Sequence, residues 1–485
     1  MPWWRRGFEI DLRSLALFRI ALGAIMLGDL LDRARDLGAF YTEAGVMPAA
    51  ARAEIDGVFA YLSLHRYAMG SAWAQGVLFV VAGLVAASLI AGWRSRVTAA
   101  AAWLLTLSLH RVNPDVGGGG DALLHILLFW SVLVPTGARW SFDARRGASV
   151  RGGSNTYVAW PGAALLLQVA MVYWFTAAMK SGATWRDGSA LGVALWNDSL
   201  TTPAGAALLA YPGLLRVMTW GTLALEWLGP VLALLPVWRG PARLIAVAVF
   251  VGFHIGIEVT MTVGLFSFAS IAAWTVFIPR CVWDRRGAGA APPGAPAIAT
   301  SRFTSAGAGI ALAYVALVNL SQLPIPGAAR LHGPPLSLLG HALMLDQRWS
   351  MFAPDPRDQY GWFVVEGKLA DGRRVDCFRA GRPVSWAKPA SVSGEFPTMR
   401  WRIAMMNLGI PEPGQVKRLE PMVWYFARRW NADHAGGERV ERIALWVVIA
   451  DYQRRDAEPG RLLLCELDVA SDRAVYVQPA ATPGP

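Results

Sequence analysis

Charged residues are scarce in this chain. They make up 16% of its 485 residues, whereas 54% are hydrophobic. Soluble domains usually carry about 25% charged residues, so the composition excludes an ordinary soluble domain and predicts a polytopic membrane protein. The 23 tryptophans agree with this class, because the indole ring favours the interface between membrane and water.

Cysteine is scarce as well, which excludes a disulfide-rich domain. Three cysteines cannot form a disulfide framework, and no spacing of cysteine and histidine is typical of a metal site, so we predict no metal. The formal net charge of +11 does not indicate binding to nucleic acid, because the arginines stand in short loops between apolar runs. Positive loops of this kind orient membrane helices.

Long apolar runs dominate the first two thirds of the chain. Crossing a bilayer takes roughly 20 mostly apolar residues, and nine stretches qualify or come close. They cover residues 12–31, 73–92, 97–110, 121–135, 157–179 and 216–237, two spans within 244–279 divided near 262–264, and 303–323. Residues 8–323 are therefore predicted to form an all-α polytopic membrane bundle of about nine transmembrane helices.

The basic segments all fall on one side of this bundle. They are the N-terminus and the loops 94–96, 139–151, 238–243 and 280–302. Short loops rich in arginine and lysine are usually cytoplasmic. With nine spans, the N-terminus is then cytoplasmic and the C-terminal region extracytoplasmic, where Cys377 and Cys465 could form a disulfide.

The composition changes after the ninth span. A proline-rich linker, residues 324–345, precedes a predicted small α+β extramembrane domain, residues 346–485. Residues 362–377 are typical of two strands joined by a tight turn at Asp371-Gly372, because glycine supplies the positive φ. Further predicted elements are the strands 443–450 and 461–467 and the helix 421–430.

Ionisable side chains inside spans are costly, so they are usually paired or functional. The spans contain Arg19, Asp29, Asp121, His125, Lys180, Glu226, His254 and Glu258. The predicted orientation brings Asp29, Asp121, Lys180 and Glu258 near the outer face. They would either line a polar cavity there or be helix ends in contact with water.

Lys180 is the only lysine before the C-terminal region. A buried lysine, unlike arginine, loses its proton readily and can act as a general base or nucleophile. The alternative is an anchor whose ammonium extends into water. His254 and Glu258 share a helix face and could relay a proton or fix a tautomer, or His254 could simply bond to a neighbouring helix. Glu226 could pair with Arg19.

An ordered set of short motifs resembles a known family. The set comprises residues 14–23, Phe40–Pro48, Tyr173–Lys180 with Trp185 and Gly188, and Phe253-His254. It resembles the HTTM (horizontally transferred transmembrane) domain, a family that includes the vitamin K-dependent gamma-carboxylase. Residues 346–356 are similar to a segment that follows the bundle in bacterial members. The resemblance implies a bacterial-type protein of the cytoplasmic (inner) membrane whose working face is periplasmic.

The resemblance also implies a role for one residue. In the carboxylase, a lysine just before a Trp-x-x-Gly segment is assigned as the base that acts with reduced vitamin K, oxygen and carbon dioxide. Lys180 matches this position, five residues before Trp185. The carboxylase also has an Asn-His pair before the fourth span, where this chain has Gly119-Gly120. The resemblance therefore implies a relative with altered chemistry.

Two functions follow as hypotheses. The first is a membrane enzyme that uses a lipophilic, quinone-like cosubstrate, with Lys180 as the base and with Asp121, His254 and Glu258 in support. Its partners would be the lipid bilayer, a quinone or lipid ligand and an extracytoplasmic protein substrate, and not nucleic acid. The second is a carrier or scaffold that binds lipid or a partner protein in the same cavity without catalysis.

Overall fold

The computed structural model describes residues 3–146, 154–285, 298, 300–408 and 416–475. Residues 147–151, 286–297 and 299 of the predicted basic loops, and residues 409–415 and 476–485 of the predicted C-terminal domain, lie outside this part. The helices up to residue 146 are α1 (Leu12–Ala34), α2 (Leu37–Phe40), α3 (Ala49–Asp56), α4 (Leu64–Tyr67), α5 (Ala72–Ala91), α6 (Ser95–Val112), α7 (Gly119–Leu133) and α8 (Phe142–Arg146).

The next part of the chain completes the helical bundle. Its helices are α9 (Trp160–Met179), α10 (Ala183–Asp187), α11 (Ala190–Trp196), α12 (Pro203–Leu208), α13 (Pro212–Leu234), α14 (Arg239–Thr260), α15 (Phe266–Trp274), α16 (Arg280–Arg285), α17 (Arg302–Ser321) and α18 (Leu336–Leu343). Two short strands, β1 (Ile10–Asp11) and β2 (Thr156–Tyr157), pair antiparallel.

Within the described residues, six helices are long and apolar enough to cross a membrane: α1, α5, α9, α13, α14 and α17. The shorter apolar helices are Gly119–Leu133 and Phe266–Phe277, and α6 lies where the third span was predicted. A mostly helical membrane bundle is thus confirmed. The predicted number of about nine spans is not, because these three helices fall short in length or in hydropathy.

Several long helices expose apolar side chains on the outside of the bundle. Among these are Trp73, Val80 and Leu84 on α5, Val217 and Leu228 on α13, and Phe303 and Ile310 on α17, each more than 60% exposed. A soluble protein rarely exposes so much contiguous apolar surface. Lipid chains, which cannot satisfy polar groups, are the natural contact for such a surface.

The ends of the long helices follow local sequence signals. Ser71 accepts a hydrogen bond from the backbone N–H of Ala74 at the start of α5, and Ser301 accepts one from Thr304 at the start of α17. These side chains satisfy donors that have no partner inside the helix. Gly92 ends α5 with φ of 69°, a conformation that costs glycine little.

The C-terminal region forms a six-stranded antiparallel sheet with two helices. Its elements are β3 (Gln359–Leu369), β4 (Arg374–Asp376), β5 (Arg382–Pro383), α19 (Met399–Leu408), α20 (Val416–Asp433), β6 (Val440–Asp451), β7 (Gly460–Asp468) and β8 (Arg473–Val475), in the order β5-β4-β3-β6-β7-β8. The predicted turn between β3 and β4 is confirmed, with Gly372 at φ of 89°. Cys377 and Cys465 are both free, so the disulfide that they could form is absent.

The chain between bundle and sheet is fastened inside the bundle. Gln347 is buried, and its amide exchanges hydrogen bonds of 2.8 and 3.1 Å with the amide of Gln168 on α9. The indole N–H of Trp349 donates to the same Gln347 oxygen at 2.9 Å. These bonds anchor the connecting chain near the middle of α9. We call the end of the bundle that faces the sheet the sheet end.

Candidate functional site

Lys180 follows directly after α9, at the sheet end. Its backbone turns away from helical geometry there, with φ of −76° and ψ of 61°. The next residues approach the chain between bundle and sheet so closely that a Cβ on Gly182 would lie 1.9 Å from the Asp355 carboxylate. That carboxylate accepts a 2.9 Å hydrogen bond from the backbone N–H of Thr184. The loop after Lys180 is therefore held by contacts that only glycine allows.

The amine of Lys180 is buried and paired. Its Nζ lies 2.5 Å from Oε1 of Glu226 on the neighbouring helix α13, and the two side chains are 4% and 5% exposed. Nζ also lies 4.4 Å from the ring centroid of Trp185, within the range of a cation–π contact. The structure thus excludes the anchor in open water. The structure also shows that Glu226 does not pair with Arg19. Arg19 instead donates to the backbone carbonyls of Ile90 and Trp140.

The Lys180–Glu226 pair lines a cavity of about 680 Å³. Walls come from α9, α13, α14 and α15, and α19 contributes at the sheet end. Most lining side chains are apolar, including Leu191, Leu195, Leu225, Phe253, Phe266 and Met351. A cavity of this size and character is typical of a site for a small lipophilic molecule.

His254 lines the same cavity and belongs to a buried chain of hydrogen bonds. The indole N–H of Trp274 donates to the Tyr173 hydroxyl at 2.8 Å, and that hydroxyl lies 2.7 Å from Nε2 of His254. The i, i+4 neighbour Glu258 is not part of this chain. It is half-buried and does not line the cavity among the described residues.

Asp121 lies in a second cluster beside the cavity, the acid–arginine cluster of Asp29, Arg33, Asp121 and Arg400. Arg33 donates to Asp29 at 2.8 Å and to Asp121 at 2.5 Å. Arg400, on α19, donates to both oxygens of Asp121 at 3.0 Å and to Asp29. Two carboxylates and two guanidiniums cancel in charge, and such pairing offsets the cost of removing them from water.

Two members of this cluster, Asp29 and Asp121, form with His110 the only set of side chains in the described residues that has the spacing of metal ligands. Asp29, His110 and Asp121 each offer one atom, all within 4.8 Å of one another. However, the carboxylates already accept hydrogen bonds from Arg33 and Arg400. Two adjacent guanidiniums would repel a cation, so the donor set fits arginine pairing rather than a metal.

The structure thus separates the four predicted site residues. Lys180 and His254 share the cavity, Asp121 lies in the acid–arginine cluster, and Glu258 lies outside both. Sequence reasoning missed Arg33 and Arg400. The spacing of Asp29 and Arg33 at i, i+4 could have revealed the first. No sequence signal connects Arg400 with the bundle.

A buried acid and a buried amine in contact can exchange a proton at little electrostatic cost, because either arrangement is neutral overall. Oε2 of Glu226 has no hydrogen-bond partner among the described residues. A buried carboxylate oxygen without a donor is unfavourable, and a ligand hydroxyl in the cavity would satisfy it. The arrangement can therefore bind a protic group and accept its proton.

The exposed apolar surface, the long apolar helices and the largely apolar cavity are those of an integral membrane protein. The family model of the HTTM domain matches residues 8–283, more than half of the chain, and the chain belongs to this family. The match confirms the family that the sequence motifs resemble. It ends within α16, so it does not include α17 or the sheet. No curated protein and no solved structure matches the chain significantly.

Proposed function

We propose that this protein is a membrane enzyme that takes a proton from a lipophilic hydroxylated ligand, with the Lys180–Glu226 pair as the proton acceptor. The observation that carries this proposal is the burial of that pair in the wall of a largely apolar cavity. Ion pairs on a protein surface are common and contribute little. A pair buried in the wall of a ligand-sized cavity is costly, and such sites are often functional.

The hydrogen bond between the two side chains assigns their roles. Lys180 cannot accept a proton through Nζ until its own excess proton has moved to Oε1 of Glu226, 2.5 Å away. Oε2 of Glu226, which has no donor among the described residues, accepts a hydrogen bond from the ligand hydroxyl and positions it. When Nζ takes the proton, the ligand O–H bond breaks, the ligand keeps the electron pair, and the protonated pair becomes positive. The face of Trp185 stabilises that positive charge.

A reduced quinone-like ligand fits this site. Its hydroxyl groups match the unpartnered oxygen of Glu226, and its ring and tail match the apolar walls. Membership of the HTTM family supports the same class, because the family includes the vitamin K-dependent gamma-carboxylase. When bound, such a quinol would supply reducing equivalents. His254 then supports binding, while Asp121 and Glu258, which do not line the cavity, have no assigned step.

One observation favours the alternative of a carrier that binds lipid without catalysis. At Gly221 on α13 and at Gly252 and Gly256 on α14, an added Cβ would meet nothing within 4 Å. All three glycines line the cavity. Open space beside two membrane helices would admit an acyl chain as readily as a quinone tail.

Oxygen consumption with an added short-chain naphthoquinol separates the two functions. Removing a proton from a quinol speeds its oxidation by oxygen, which yields the quinone and hydrogen peroxide. General-base catalysis typically contributes a factor of about 10²–10⁴. We therefore expect the purified protein in mild detergent to accelerate oxygen consumption, and Lys180→Met and Lys180→Arg to lower that rate by about 10² or more.

Lys368→Met is the matched control, because Lys368 is an exposed lysine of β3. It should leave the rate unchanged. A Lys180→Arg variant with full activity would contradict the proton-transfer role, because arginine cannot release its proton. If the protein binds the quinol or retains a lipid detectable by mass spectrometry, but does not accelerate oxidation, the carrier is the correct function.

We further propose that the N-terminus is cytoplasmic and the sheet extracytoplasmic, in a bacterial cytoplasmic (inner) membrane. Cys281 on α16 is exposed, whereas burial raises the pKa of the Cys377 and Cys465 thiols to about 12 and makes them slow to react. In intact spheroplasts, a membrane-impermeant maleimide should label Ser471→Cys at once and Cys281 only after lysis. The reverse order of labelling would show the opposite orientation.

A further inference from the structure

The hydrogen-bond chain Trp274–Tyr173–His254 has a defined direction. An indole N–H can only donate, so the Tyr173 oxygen accepts from Trp274 at 2.8 Å. Phe250 stacks on the Trp274 ring with a centroid distance of 3.9 Å and an interplanar angle of 13°, which holds the indole in place. The hydrogen bond from Trp274 to Tyr173 therefore has a fixed direction and a fixed geometry.

Two groups near Tyr173 can accept its phenol proton. Nε2 of His254 lies 2.7 Å from the phenol oxygen, whereas the Ser270 hydroxyl is near it but outside good hydrogen-bond geometry. Because the phenol oxygen already accepts from Trp274, we assign the phenol proton to the shorter and better-formed bond, the one to Nε2. Nε2 is then an acceptor, and a neutral imidazole must carry its proton on Nδ1.

Nδ1 of His254 has no partner among the described residues, although the side chain is fully buried. A buried N–H without an acceptor is unfavourable. His254 lines the cavity, and Phe266 holds the imidazole edge-on at a centroid distance of 5.6 Å. A ligand that packs against His254 in this cavity would supply that acceptor.

We infer that His254 binds the cavity ligand as an Nδ1–H donor, through a carbonyl or hydroxyl oxygen of that ligand, and that Tyr173 and Trp274 are positioning residues that set this tautomer. The inference rests on the proposed function for the presence of a ligand. With Glu226 as acceptor and His254 as donor, the site selects a lipophilic molecule with two oxygens of different roles. A quinol has such a pair, whereas a simple alcohol has one oxygen.

The tautomer can be measured without activity. The chain has seven histidines, so ¹⁵N spectra of histidine-labelled protein in detergent can be assigned to His254 by comparison with His254→Asn. We expect an Nδ1–H imidazole in the parental protein. Tyr173→Phe should shift the tautomer equilibrium of His254 towards Nε2–H. Trp274→Phe should shift it partly, because the Tyr173 oxygen is then free to accept a hydrogen bond from Nε2–H. An Nε2–H imidazole in the parental protein would overturn the inference.

Binding of a short-chain naphthoquinone, followed by quenching of tryptophan fluorescence, tests the donor itself. Asparagine places an amide N–H near the position of Nδ1, and glutamine places one near Nε2. His254→Asn should bind within about threefold of the parental protein, whereas His254→Gln should bind about tenfold more weakly, the loss of one hydrogen bond. Retained binding by His254→Gln together with lost binding by His254→Asn would overturn the inference.

The results also separate this inference from the proposed function. A protein that binds naphthoquinone and loses activity in Lys180→Met, but carries Nε2–H on His254, contradicts the inference alone. An Nδ1–H imidazole in a protein that binds no naphthoquinone contradicts the proposed ligand. Thermal unfolding of each variant shows whether it is folded, and Trp274→Phe replaces Tyr173→Phe if the latter does not fold.

Discussion

Lys180→Met is expected to lower the free energy of unfolding by about 3–5 kcal/mol, because it leaves the Glu226 carboxylate buried without its partner. Glu226→Gln should cost a similar amount, since it leaves the ammonium. The double variant Lys180→Met/Glu226→Gln removes both charges and should be more stable than the sum of the single effects predicts. Denaturant titration in mixed micelles, analysed as a double-mutant cycle, gives the coupling free energy between the two side chains.

The pair Glu9–Arg239 is a matched control for this cycle. Its nitrogen–oxygen distance is also 2.5 Å, but its side chains are 25% and 38% exposed. Exposed pairs contribute roughly 0–1 kcal/mol, so Arg239→Met should have a small effect. Additive effects of Lys180→Met and Glu226→Gln would show that the two charges do not interact, and the proton-sharing role would lose its basis.

Arg400→Met is expected to have an effect of comparable size. It leaves the carboxylates of Asp29 and Asp121 with Arg33 as their one guanidinium in the cluster. Breaking a buried charge network of this kind costs about 3–5 kcal/mol. Because Arg400 is the residue of α19 that enters this cluster, amide hydrogen exchange should also increase across residues 399–408.

Arg442→Met serves for comparison, because Arg442 pairs with Asp468 at 3.5 Å and the two side chains are 60% and 26% exposed. Its loss should cost no more than about 1 kcal/mol and should leave exchange in α19 unchanged. Arg400→Lys keeps the charge but not the fork of donors, so it should restore only part of the stability. Normal stability and exchange in Arg400→Met would mean that apolar packing alone holds α19.

Hydropathy predicted most helices of the bundle to within a few residues. The predicted span 73–92 is observed as Ala72–Ala91, because a uniformly apolar run lies between two local signals, Ser71 and Gly92. The hairpin at Asp371-Gly372 was predicted from an equally local signal, the turn dipeptide itself. The number of spans could not be fixed in this way, because Gly119–Leu133 and Phe266–Phe277 are shorter than a typical bilayer span.

The site was predictable residue by residue but not pair by pair. Lys180, Glu226 and His254 stood out because ionisable groups are rare in apolar helices. Which of them meet depends on the rotation of each helix about its own axis. No sequence motif specifies that rotation for α13. The cluster with Arg400 depends on a contact between residues 371 positions apart, across an intervening linker.

The contact between Arg400 and the bundle also constrains how the protein is made. Asp29 enters the membrane early, yet the arginine that completes its pairing lies 371 positions later. At a synthesis rate of about 5–20 residues per second, roughly 20–70 s separate the two. During that interval the cluster lacks one of its two guanidiniums, and the cavity lacks the side chains that α19 contributes. Synthesis of α19, rather than insertion of the last membrane helix, is therefore the event that completes the cavity wall.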